Sequence, residues 1–286
     1  MDPVDAPPPE TESRHLEALP TPPPGTSGGP LRAGRALRGA PERHEVALIL
    51  GLVLLLNLVP GGLLQLAHLR WGLLVTQLLF VAAPVLLAIR WFYLDGRAVL
   101  PLRSPGRTAL VGAVLGIIGL NHVLNCGQVW QERHHPMPEL WRNLFEALTT
   151  FDGPFDFILL LLLVGVLPGV CEEILFRGFV QAGLKQAFES DTKAIVVGAV
   201  VFAGFHLNPW SFSFLLIIGL YLGFLVQRTR SLLPAMAAHA LNNILSLVLA
   251  SLGGQAQETM VRSGWSHAVA GVCLAAAALL LRRAPA

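Results

Sequence analysis

Three ionisable side chains, Glu172, Glu173 and Arg177, follow a run of apolar residues at positions 157–167. Such a run is typical of a membrane-spanning helix, and ionisable groups at membrane depth are costly and by default indicate a functional site. Glu173 and Arg177 are four residues apart, so on a helix they share a face and can form an ion pair. Glu172 points about 100° away from Glu173 on a helix and is left free for chemistry.

Pro168 and Gly169 stand just before this acid pair. Proline lacks a backbone donor and clashes with the preceding turn, so the helix is expected to kink or loosen there. A distorted helix beside two acids predicts a polar cavity.

Two further apolar segments carry polar groups. His206 ends one of them, and His239 and Asn243 lie inside another. Because His239 and Asn243 are four residues apart, they share a helix face, whereas Asn242 does not lie on that face. Each group taken singly could merely bond a neighbouring helix, and Glu173 with Arg177 could be a purely structural pair. Four such groups on three helices, counting Glu172, are better explained by a cavity that uses them.

The chemistry that these types support is peptide hydrolysis. It needs a base for water and donors for the developing oxyanion, and a carboxylate, an imidazole and an amide meet those needs. We therefore expect no required cofactor. Zinc is the alternative, because Glu172, His206 and His239 could supply three ligands and an open position. The sequence has neither an HExxH motif nor a GxSxG-type serine.

Composition narrows the class of protein. Hydrophobic residues make up 53% of the 286 residues and charged residues only 13%, against about 25% charged in soluble domains. This indicates an all-α, polytopic membrane helix bundle in contact with the lipid bilayer. The net charge of +2, without a basic stripe, argues against nucleic acid binding. Cys126, Cys171 and Cys273 are isolated and form no disulfide framework.

The apolar pattern predicts about eight transmembrane helices. Residues 1–43, rich in proline and arginine, are expected to be a disordered cytoplasmic tail, and residues 44–286 form the membrane domain. Residues around 138–149 suggest a short interfacial helix. The eight predicted spans are 46–66, 71–91, 108–126, 155–175, 194–208, 212–227, 232–252 and 267–282.

Basic residues alternate between successive loops. Arginines and lysines concentrate in the tail and in the loops after the second, fourth, sixth and eighth spans, while the opposite loops hold fewer. By the positive-inside rule this predicts that both termini are cytoplasmic.

The three motifs together resemble a known family. Glu172-Glu173-x-x-x-Arg177, Phe202-x-x-x-His206 and His239-x-x-x-Asn243, in this order on successive apolar segments, are similar to the motifs of the CPBP family. These intramembrane proteases include CAAX proteases, Ras-converting endopeptidases and bacteriocin-processing members. The similarity covers roughly residues 155–250, the motif core.

The resemblance implies an eight-helix protease whose cavity opens to the cytosol. The residue matching Glu172 would activate water together with His206. His239 and Asn243 would hold the oxyanion, with Glu173 and Arg177 in support. The family has also been described as metalloproteases, so the resemblance leaves Zn²⁺ open.

The function predicted is therefore an intramembrane endopeptidase of a bacterial inner membrane, acting on a membrane-associated peptide or protein. The alternative is a non-enzymatic membrane protein of the same fold, such as a transporter, a bacteriocin immunity protein or a scaffold.

Overall fold

The computed structural model describes residues 36–284, and this part of the chain is built from helices with no strand longer than the single bridge between Arg38 and Leu94. Besides one helical turn at Gly96–Val99, the helices in chain order are α1 (Arg43–Ala67), α2 (Leu69–Trp91), α3 (Arg107–His134), α4 (Glu139–Thr149), α5 (Gly153–Phe188), α6 (Asp191–Phe205), α7 (Phe212–Thr229), α8 (Leu233–Ser251), α9 (Gly254–Arg262) and α10 (Gly264–Arg283).

Seven of these described helices are long and apolar enough to cross a membrane, namely all except α4, α6 and α9. The chain is therefore an all-α, multi-pass membrane protein, as predicted. The fifth predicted span, 194–208, corresponds to α6, which has 15 residues where about 20 are usual for a crossing. Ser190 caps the N-terminus of this helix. The helix ends before Leu207, whose backbone adopts a left-handed φ of 51°.

Helix α5 is longer than its predicted span of 155–175. It continues to Phe188 and contains 36 residues, so the acid pair lies near its middle rather than at its end. The extension is stable because residues 175–180 are all buried, including the apolar Phe176 and Phe179. The sequence pattern ended too early here because Arg177 and Gly178 interrupt the apolar run, whereas in the structure both are buried.

Helix α5 also has two stretches of wide, π-type turns. They span Leu161–Val166 and Ile174–Val180 and lie on either side of the segment Leu167–Glu173. Proline at position 168 cannot donate to the turn before it, which accounts for the loosening upstream of the acids. Such turns occur often at functional sites, and α2 has one at Thr76–Ala82.

Residues 1–35 of the predicted tail lie outside the described part of the chain. Within the described part, Arg38 is paired with Glu45 at 2.5 Å and donates to the Phe92 carbonyl at 3.0 Å. The predicted interfacial segment is helix α4, on which no residue is buried.

Candidate active site

A close approach between α5 and α8 brings the acid pair toward the predicted histidine. A Cβ atom added at Gly169 would lie 2.7 Å from the backbone nitrogen of Ala240, so only glycine fits at this crossing. Glu173 lies one helical turn after Gly169 on α5, and His239 lies one residue before Ala240 on α8. The Pro168-Gly169 pair thus both loosens α5 and admits α8.

Glu173 is the buried centre of a three-residue ionic network. Its side chain is fully buried, and its Oε1 accepts hydrogen bonds from Arg177 Nη1 at 2.9 Å and from His239 Nδ1 at 2.8 Å. Arg177 also donates to the Gly219 carbonyl at 3.2 Å and lies over the Phe202 ring at 4.3 Å. A buried carboxylate is tolerated when it is paired and hydrogen-bonded in this way.

Glu172 faces a different environment, as its position on the helix predicts. Its Oε1 accepts a hydrogen bond from Gln77 Nε2 of α2 at 3.0 Å, while its Oε2 is buried with no hydrogen-bond partner. Oε2 lies 3.9 Å from His206 Nε2 and 4.0 Å from His239 Nε2. These gaps are too long for direct hydrogen bonds, and one water molecule can bridge them.

His206 presents one defined ring nitrogen to this gap. Its Nδ1 donates to the Phe202 carbonyl one turn earlier at 2.9 Å, which leaves Nε2 facing Glu172. About a third of its side chain is exposed, against 5% for His239. His206 therefore stands at the wetter edge of the site.

The depth of the site follows from the connection between α5 and α6. Glu172 lies 16 residues before the end of α5, about 24 Å at the usual helical rise, and His206 lies 15 residues after the start of α6, about 22 Å. The two helices are joined by only Glu189 and Ser190, so both groups reach the same level. If the span ended at Arg177, the same calculation would place Glu172 closer to the membrane surface than the full length of α5 does.

His239 reaches the same level by another route. It lies only six residues after the start of α8, but the turn before that helix is inside the protein. Ser231 and Leu232 are fully buried there, and Leu232 donates its backbone N–H to the Pro101 carbonyl at 2.9 Å. Helix α8 thus begins within the bundle rather than at its surface.

The two asparagines of α8 have different partners. Asn242 is buried, and its Oδ1 accepts from Asn121 Nδ2 of α3 at 3.1 Å. Asn243 is only half-buried and donates to the Val164 carbonyl, in a wide turn of α5, over a long 3.4 Å. The structure therefore brings Glu172, Glu173, Arg177, His206 and His239 into one connected cluster, with Asn243 one turn further along α8.

Gln77 is the site residue that sequence reasoning missed. A single glutamine in an apolar segment has no spacing that distinguishes it, and its only sequence signal is its polarity at membrane depth. It lies in the wide turn of α2, which aims its amide at Glu172. This hydrogen bond goes to Oε1, so Gln77 orients the Glu172 carboxylate without occupying the gap between Oε2 and the two histidines.

We expect Gln77→Leu to lower kcat for cleavage by about tenfold or more with little change in KM, because a hydrogen bond to a charged group is worth about 1.5–3 kcal/mol. The measurement is steady-state cleavage by purified protein. Gln65→Leu is the matched control, since Gln65 donates to Thr76 at 3.3 Å and, in the described chain, has no hydrogen bond to either acid. Equal kcat in wild type and Gln77→Leu would remove Gln77 from the site.

The carboxylate of Glu172 and the imidazoles of His206 and His239 are side-chain types that bind zinc. Tetrahedral zinc with bonds of about 2.1 Å holds its ligand atoms about 3.4 Å apart. Glu172 Oε2 is unpartnered and lies 3.9–4.0 Å from the two imidazole nitrogens, but in the described chain Glu172, His206 and His239 do not place one ligand atom each within 4.8 Å of one another. The two imidazoles would therefore have to approach each other before zinc could bind here.

Fold and site together define a multi-pass helical membrane protein with a buried acid–histidine cluster. Residues 154–245, about a third of the chain, match the family model described as type II CAAX prenyl endopeptidase Rce1-like. The matched segment contains all three motifs, and the match confirms the resemblance to CAAX-type membrane proteases. Comparisons with curated proteins and with solved structures gave no match.

Proposed function

We propose that this protein is an intramembrane endopeptidase in which Glu172 activates water to hydrolyse a peptide bond of a membrane-associated substrate. The observation that carries the proposal is the buried, unpartnered Oε2 of Glu172, which stands between two imidazoles at distances that suit a bridging water. Glu173 also has a buried Oε2 without a hydrogen-bond partner, but its Oε1 is bonded to both Arg177 and His239, whereas Glu172 Oε2 lies near the Nε2 atoms of His206 and His239 without bonding to either.

Water in this gap is held in a reactive orientation. Because His206 Nδ1 donates to Phe202, its Nε2 accepts, and the two O–H groups of the water can donate to Nε2 and to Glu172 Oε2. The oxygen lone pair is then directed at the substrate carbonyl. As the bond forms, Glu172 takes one proton and can deliver it to the leaving amine.

His239 and Asn243 are assigned to the oxyanion. With Nδ1–H bonded to Glu173 at 2.8 Å, His239 can donate to an oxyanion through Nε2 when both ring nitrogens carry a proton. The Asn243 amide has two long hydrogen bonds, donating to the Val164 carbonyl and accepting from Asn242 Nδ2, both at 3.4 Å, and can turn toward an oxyanion at little cost. Hydrogen-bond donors of this kind commonly stabilise the oxyanion of a tetrahedral intermediate.

The direct test is cleavage of lipid-anchored peptides by the purified chain in proteoliposomes, read by mass spectrometry. Cleavage by wild type that is absent from Glu172→Gln supports the protease. Saturable binding of the peptides without cleavage would favour the non-enzymatic alternative instead.

We expect activity to survive a strong chelator, because Glu172, His206 and the two donors supply the chemistry without a metal. The measurement is the cleavage rate before and after chelation and dialysis. Loss of activity that returns with Zn²⁺ would reverse the assignment. Glu172, His206 and His239 would then hold the ion, which would lower the pKa of the water that it binds.

The orientation that we propose counts the short helix α6 as an eighth crossing and places the protein in a bacterial inner membrane with both termini in the cytoplasm. Reporter fusions after Arg107 and after Arg230 should therefore report the cytoplasm, and a fusion near Gln255 the opposite side, because the arginines alternate in that sense. A non-cytoplasmic signal after Arg107 would contradict this topology.

A further inference from the structure

A second cluster of potential ligands lies between α3 and α10 and shares no residue with the active site. His122 Nε2 is 2.9 Å from His267 Nδ1 and 3.7 Å from Cys126 Sγ. Within the described chain, these three side chains form a group whose candidate ligand atoms all lie within 4.8 Å of one another.

Helix geometry explains how the three groups meet. His122 and Cys126 are four residues apart on α3 and share a face. Helix α10 can come close at this level because α3 has Gly119, where an added Cβ would lie 2.8 Å from the Ala270 carbonyl. His267, in the first turn of α10, then reaches His122.

The distances suit a tetrahedral ion with one thiolate and two imidazole ligands. Bonds of about 2.1 Å to nitrogen and 2.3 Å to sulfur place a nitrogen and a sulfur ligand about 3.6 Å apart, and two nitrogens about 3.4 Å apart. The observed 3.7 Å between nitrogen and sulfur is close to this, and the two imidazoles need to separate by about half an ångström from their 2.9 Å.

The cluster is also accessible. His122 is buried and Cys126 half-buried, but His267 is exposed, so an ion has an entry beside the start of α10. His122 and His267 have no other hydrogen bond from their ring nitrogens among those formed in the described chain. Nothing else there competes for the lone pairs that an ion would use.

We propose that His122, Cys126 and His267 form a binding site for Zn²⁺ that joins α10 to α3. On binding, the Cys126 thiol releases its proton to solvent, and His122 Nε2 and His267 Nδ1 each give a lone pair, so that the remaining proton of each ring lies on its other nitrogen. Three protein ligands leave the fourth position for water. Mixed thiolate and imidazole ligation favours zinc over calcium or magnesium.

The test uses the metal-free full-length protein in detergent, titrated with Co²⁺ as the spectroscopic probe and then with Zn²⁺. We expect one equivalent of Co²⁺ to produce a thiolate-to-cobalt charge-transfer band that Zn²⁺ abolishes. Cys126→Ser should lose the band, and His267→Ala should weaken Co²⁺ binding at least about tenfold. Zn²⁺ should raise the Tm of wild type but not of Cys126→Ser, since a ligand stabilises the state that binds it.

The other two cysteines provide matched controls. Cys273→Ser, also on α10, and Cys171→Ser, beside Glu172, should keep the band, which separates this site from metal bound among the catalytic residues. A band that persists in Cys126→Ser, or disappears in Cys171→Ser, would overturn the proposal. So would the absence of saturable binding, which would leave the His122–His267 contact as an interhelical hydrogen bond only.

Discussion

Glu172→Gln is expected to lower the cleavage rate by at least about 10²–10⁴-fold, the usual contribution of a general base, while protein level and Tm stay near wild type. Glutamine keeps the shape of the side chain and an oxygen that can accept from Gln77, but its amide cannot take a proton from water. Folding should be preserved because Glu172 Oε2 has no hydrogen-bond partner to lose. The measurement is a cleavage rate at matched protein concentration, with Tm determined in detergent.

The control for Glu172→Gln is Glu146→Gln, which changes an exposed carboxylate on the surface helix α4 in the same way. It should cleave like wild type. If Glu172→Gln cleaves normally while Glu173→Gln is folded and inactive, the two acids have exchanged roles and the argument from helix faces is wrong.

Glu173→Gln should mainly lower the stability of the protein, and it should also reduce the cleavage rate without abolishing it. It leaves the buried Arg177 without an anion and His239 without a charged partner, and breaking a buried ion pair costs about 3–5 kcal/mol. Because the hydrogen bond from Nδ1 to Glu173 orients the His239 ring, the oxyanion should also lose a positioned donor, so that the residual folded protein cleaves slowly. Arg177→Ala should lower Tm and expression similarly, and both are measured in detergent and in membranes.

Arg262→Ala is the matched control for Arg177→Ala. Arg262 and Glu258 have the same spacing of four residues on α9 and a contact of 3.2 Å, but both side chains are exposed. Exposed pairs contribute about 0–1 kcal/mol, so this variant should melt near wild type. If Arg177→Ala is equally stable, the buried network around Glu173 does not support the fold.

Contacts within one helix could be derived from the sequence alone. The separation of Glu173, which pairs with Arg177, from Glu172, which faces elsewhere, follows from the helical period, and so does the bond from His206 back to Phe202 within its own turn. The all-helical membrane fold likewise follows from apolar content, because a spanning segment must satisfy its backbone hydrogen bonds internally.

Contacts between helices were decided only by the tertiary structure. The bond from His239 to Glu173 depends on Gly169 admitting α8, and the common depth of Glu172 and His206 depends on α5 extending to Phe188. Gln77 was found only because a wide turn of α2 aims its amide at Glu172. The physical reason is that the helical period relates residues a few positions apart, whereas the offset and rotation of one helix against another depend on packing of side chains that no local spacing encodes.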